Sequence, residues 1–154
     1  MPSLTQILII FGGSMIPILE LSWSIPFAIT VFKINPWLAL ALGVIGNIIP
    51  LFLVNILAPV VERILSQLSW TNRMMDWVFR YTRQKLAEKY TKYGALALMV
   101  FVAVPLLGGG VWTASIAGWL FAIPKRYAYP YIVAGAVISG LLVTLATIGL
   151  IQIL

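Results

Sequence analysis

Two stretches of this chain run without a charged residue for the full length of a membrane crossing, Trp37 to Ala58 and Tyr131 to Leu154. A helix needs about 20 apolar residues to cross a bilayer, so both are expected to be transmembrane helices. Four other apolar runs are shorter: Leu4 to Leu19, Ile25 to Phe32, Ala95 to Leu107 and Val111 to Ile123. At about 1.5 Å per residue, each falls short of a hydrocarbon layer roughly 30 Å thick. The short runs come in pairs, divided by Glu20-Leu-Ser-Trp-Ser-Ile-Pro26 in the first pair and by Gly108-Gly-Gly110 in the second.

Paired short runs around a break are the pattern of re-entrant helical hairpins, with ordinary kinked helices as the plain alternative. Irregular backbone at membrane depth is tolerated only where protein buries it or water reaches it, so the two breaks should face each other or a cavity. Pro17 to Pro36 and Pro105 to Pro124 have the same spacing of 19 residues, and each interval leads toward a long span. The expected fold is therefore an all-α integral membrane protein of two inverted repeats, each a re-entrant hairpin plus a transmembrane helix. One membrane domain covers 1–154, with repeat 1 at about 4–58, a connector at 59–93 and repeat 2 at about 94–154.

Composition removes the soluble alternatives, since 62% of residues are hydrophobic, 9% are charged and the mean hydropathy is +1.04. Such a chain would aggregate in water. The N-terminus, MPSLTQILIIFGG, lacks the basic segment and small-residue cleavage site of a signal peptide and reads as mature structure. Cysteine and histidine are both absent, which removes thiolate and Ser-His-Asp catalysis and the usual zinc ligand sets. With no carboxylate pair and no phosphate-handling motif either, an intramembrane enzyme is not expected, and no cofactor or metal is implied.

Charge sets the expected topology. The 59–93 connector holds seven of the ten Lys and Arg residues, Lys125 and Arg126 supply two more, and Lys33 is the last. Placing the connector and Lys125-Arg126 on one face makes that face cytoplasmic and puts both termini outside a multi-pass protein of the plasma membrane. Thr71 or Asn72 can cap an amphipathic connector helix over 73–93, supported by Glu88 and Lys92 one turn apart and by Trp77, Tyr81, Tyr90 and Tyr93. Beside two spans, its partners are expected to be anionic lipid headgroups, and nucleic acid is not expected.

Glu20 stands apart as the acidic residue outside the connector, at the first break. A carboxylate at membrane depth must be paired, hydrated or protonated, and transporters use such groups to carry protons or to face cationic substrates. A plain structural role, capping broken helix ends, stays open. The second break, Pro105 through Gly108, Gly109 and Gly110 to Trp112 and Thr113, offers unpaired amides at the start of a half-helix, where an anion or Glu20 itself could bind. A merely tight turn is its alternative. Ser24 and Pro26 belong to the first break, and Trp23 and Trp112 flank the two breaks, able to stack on a flat or cationic ligand or simply to anchor and pack. Asn47, in Gly43-Val-Ile-Gly-Asn47, reads more readily as helix packing than as a substrate contact.

Taken together, Pro17-Ile-Leu-Glu20-Leu-Ser-Trp-Ser-Ile-Pro26, Gly43-x-x-Gly46-Asn47 and Phe101-Val-Ala-Val-Pro105-Leu-Leu-Gly-Gly-Gly110-Val-Trp112-Thr113 resemble the small multidrug export proteins, and through them the wider DedA superfamily. The resemblance covers both halves in order. It implies inverted re-entrant hairpins and transport of amphipathic or lipid-like substrates. Where the family places an arginine and a glycine after the glutamate, this chain has Ser22 and Trp23, so no built-in ion-pair partner for Glu20 carries over. Where the family reads Pro-Gly-Thr-Gly, this chain has Leu107-Gly108-Gly109-Gly110.

The expected function is a small secondary exporter of amphipathic substrates, proton-coupled through Glu20. It is expected to act as a homodimer, because one copy has too few helices to enclose a large cavity. A lipid translocase or scramblase, such as a polyprenyl-phosphate flippase, and a structural membrane protein without a transport cycle are the rival readings.

Overall fold

A computed structural model describes residues 2–17, 19–65, 88–105 and 110–153, with 88–92 described by their backbone. The described elements are all helical: α1 (Leu4–Met15), α2 (Glu20–Thr30), α3 (Pro36–Leu65), α4 (Glu88–Ala103), α5 (Val111–Leu120) and α6 (Lys125–Ile153). Local chemistry explains where they begin and end. Ser3 and Gln6 form a reciprocal capping box at the start of α1. Pro17 forces the preceding Ile16 into an extended conformation, and α1 stops there. Asn35 caps α3 by accepting from the Trp37 amide at 2.9 Å, with Pro36 as the first helical residue.

In each half the second short helix ends at a left-handed residue followed by a buried isoleucine that donates back into the helix, one residue further back in the first half. After α2, Lys33 adopts a left-handed φ of 53°, and the buried Ile34 donates back to the Ala28 carbonyl. After α5, Ala122 has φ 51°, and the buried Ile123 donates back to the Gly118 carbonyl in a Schellman-type closure. Pro36 and Pro124 then introduce the long helices α3 and α6.

Three differences from the sequence-based expectation have physical causes. α1 stops at Met15, where Pro17 sets the break, and α2 starts at Glu20 and runs on through Ser22, Ser24 and Pro26. The first long helix continues past Pro59 to Leu65. A single helix, α4, joins the end of the expected connector to the second apolar run, so no boundary falls at Tyr93. The rest of the expected connector helix, including Trp77 and Tyr81, lies outside the described residues.

Packing is matched between the halves. α1 lies on α3 and α4 lies on α6, and α3 and α6 also touch each other and the opposite half's second short helix. A Cβ built on Gly46 would come within 2.6 Å of the Phe11 carbonyl oxygen, and one on Gly135 within 2.6 Å of the Met99 carbonyl oxygen. Phe11 and Met99 stand at the same distance before Pro17 and Pro105. The first core cluster joins Ile10, Leu21, Ile25 and Ala39 to Val143 of α6; the second joins Leu98, Val111 and Ile132 to Leu51 of α3. Each long helix thus reaches into the other half's core.

Because the neighbour at Gly135 is backbone, it cannot swing aside. Gly135→Ala should lower stability by about 1–3 kcal/mol, read as a fall in the melting temperature of the detergent-solubilised protein. Gly149→Ala, where a Cβ meets nothing within 4 Å, should leave it unchanged.

Candidate functional site

Two contacts join segments that are far apart in sequence. The Trp112 indole, in the first turn of α5, donates from Nε1 to the Met15 carbonyl at the end of α1, at 2.8 Å. The Glu20 carboxylate lies directly over Gly110, so that a Cβ there would overlap both carboxylate oxygens. Gly110 is the N-cap of α5 and has no side chain to satisfy that helix's leading amides. Glu20 is itself the first residue of α2, whose N-cap, Leu19, makes no side-chain cap hydrogen bond.

The carboxylate therefore sits at the starts of two short helices at once. Their aligned peptide dipoles place partial positive charge on that spot, which is where a carboxylate is favoured in the absence of a basic partner. No basic side chain pairs with Glu20 among the described residues. Lys33 lies beyond the other end of α2, about 16 Å away along a helix of this length, and is exposed.

Glu20 has a left-handed φ of 46°. A non-glycine residue held there costs about 1–3 kcal/mol, which the surrounding contacts must offset. Holding that backbone brings the side chain onto α5.

The remaining predicted residues fall in different places. Ser24 is fully buried at the α1–α2 contact, beside Gly13, and its hydroxyl donates to the Glu20 carbonyl at 2.7 Å. Pro26 is inside α2, and Trp23 stacks on Phe27 with centroids 4.5 Å apart. Asn47 is buried in α3 with no partner for Oδ1 among the described residues. Thr113 is exposed, Pro105 follows the end of α4, and Gly108 and Gly109 lie outside the described residues. The structure thus brings Glu20, Gly110 and Trp112 to one junction, together with Met15. Met15 escapes sequence reasoning because its contribution is a backbone carbonyl.

Trp112→Phe tests the clasp while keeping an aromatic ring. Loss of one part-buried indole hydrogen bond should cost about 0.6–1.5 kcal/mol, read as a melting temperature a few degrees lower.

A family model matches residues 20–142, from the junction glutamate through most of α6. The chain belongs to the family described as Putative small multi-drug export protein. No curated protein and no solved structure matches the chain. The family description is that of an export protein, which suggests a transporter. Membership also fits the long helices: α3 and α6 are long and apolar enough to cross a membrane, and less than half of each apolar window is buried, unlike the core helix of a soluble protein. Phe52, Ile56, Leu142 and Leu145 are among the side chains turned outward. This export-family chain is a membrane protein.

Proposed function

We propose that the protein is a small secondary exporter of amphipathic substrates, driven by protons that are carried on Glu20. The observation that carries this reading is the placement of the Glu20 carboxylate over Gly110 between two helix starts. When ionised, the carboxylate is held by both dipoles and closes the junction. When protonated, it loses that attraction and frees the leading end of α5 for an anionic or polar part of a substrate. Such an exchange makes proton binding and substrate binding alternatives at one place, the minimum that coupling requires.

Supporting this reading are the short paired helices, the matched closures at Lys33 and Ala122, and the matched glycine contacts at Gly46 and Gly135. In it, α1–α2 and α4–α5 are re-entrant hairpins of two inverted repeats, as the resemblance to the DedA superfamily implies. Two copies of the chain enclose the substrate path, and anionic lipids meet the basic connector.

Transport itself is the test. Protein in sealed vesicles should drive an amphipathic cationic dye across the membrane when a pH gradient is imposed. Dye movement that ignores the gradient would reject proton coupling. Orientation is tested separately, since the native chain has no cysteine. A cysteine introduced as Ser3→Cys should react with impermeant maleimide from outside the cell, and one introduced as Lys85→Cys should be protected. The reverse labelling would invert the topology.

A further inference from the structure

Away from the Glu20 junction, α3, α5 and α6 enclose a crevice of about 320 Å³. It shares α5 with the junction, but none of Glu20, Gly110, Trp112 or Thr113 lines it. Its floor is apolar, formed by Leu51, Val54 and Ile132, with Trp119 on one wall. At its mouth stand one carboxylate and one ammonium group, Glu62 near the end of α3 and Lys125 at the start of α6. Both are exposed, and no ion pair joins them among the described residues. Tyr129 also lines the crevice, and its hydroxyl oxygen is buried with no hydrogen-bond partner among the described residues.

These features specify a ligand. An apolar floor calls for hydrocarbon, and the volume lies at the lower end of the range for small-ligand sites. Opposite charges held apart at the mouth call for a headgroup that carries both signs. Lys125 lies at a helix N-terminus, where side chain and dipole together favour phosphate, which leaves Glu62 for the ammonium. A purely anionic headgroup would meet Glu62, and a purely cationic one would meet Lys125, each as like charges.

We propose that this crevice binds a zwitterionic membrane phospholipid, with the phosphate at Lys125, the ammonium at Glu62 and the upper acyl chain on the Leu51–Val54–Ile132 floor. The site is separate from the transport junction and does not depend on how that junction is used.

Full-length protein extracted from vesicles of equimolar phosphatidylethanolamine and phosphatidylglycerol, with identical acyl chains, provides the test. Native mass spectrometry should find that the lipid retained by the native protein and lost from Val54→Trp is phosphatidylethanolamine in preference to phosphatidylglycerol by about ten-fold, the scale of one charge-assisted hydrogen bond made and one like-charge repulsion avoided. This difference leaves out anionic lipid held at the basic connector. Glu62→Gln should erase that preference, and Lys125→Gln should lower retention of both lipids. Val54→Trp, which fills the floor and leaves the charges intact, should displace the lipid from protein with an unchanged helical spectrum. Equal or greater loss of phosphatidylglycerol on filling the crevice with Val54→Trp would overturn the proposal, as would a Glu62→Gln preference equal to the native one. Soluble phosphoethanolamine competing as strongly as the lipid would also overturn it, because the ligand would then be a free solute.

Discussion

Gly110→Ala should abolish gradient-driven transport while leaving a folded, membrane-inserted protein. The added methyl would occupy the space now filled by the Glu20 carboxylate, so one of them must move. α5 is anchored behind this point by buried Val111 and Ala114 and by the Trp112 clasp, so the side chain of Glu20 is the part free to leave. Displacing it removes the carboxylate from the α5 dipole, and forcing the two together would cost about 1–3 kcal/mol. A shift of that size is enough to invert the balance between two transporter states that lie within a few kcal/mol of each other. The measurement is dye accumulation in vesicles, with the melting temperature followed in parallel. Normal uphill transport by Gly110→Ala would show that the contact has no part in the cycle.

The long helices were legible because length and apolarity are local properties. Even there, the sequence reading stopped α3 at Pro59, although a proline near a helix end removes one backbone bond without dictating a stop. The first break was misplaced for a related reason. Ser22, Ser24 and Pro26 looked like breakers, yet Ser24 meets its hydrogen-bonding need inside the helix by donating to the Glu20 carbonyl, as Ser14 does to Ile10. The effective signal was Pro17, acting on Ile16 before it.

At the site, the residue types were readable, and Glu20 reaching the glycine turn was one option the residues left open beside a bound anion or a merely tight turn; the structure lays its carboxylate over Gly110. The Trp112 clasp was not readable, because its partner is the Met15 carbonyl and any residue could supply one. Asn47 is buried beside Gly46, where α1 approaches α3.

Glu20→Gln should separate transport from its driving force. Glutamine keeps the length and shape of the side chain and can still sit over Gly110, but it carries no charge for the two helix starts to hold and no proton to exchange. The variant should fold and insert, should let amphipathic dye equilibrate, and should lose accumulation against a gradient together with dependence on external pH. Glu20→Ala should do worse, since it leaves the leading amides of α2 and α5 without the carboxylate while keeping an unfavourable left-handed backbone; an uncovered polar group of this kind costs about 1–3 kcal/mol. Glu20→Gly relieves the backbone and loses the carboxylate, so it should be more stable than Glu20→Ala and equally unable to concentrate substrate. This pair distinguishes strain from chemistry. The vesicle assay gives a clear opposite outcome: a Glu20→Gln protein with native pH dependence and uphill transport would make Glu20 a structural cap of two helices. The junction would then fit passive lipid translocation, in which the α5 amides hold a headgroup phosphate and no proton is exchanged.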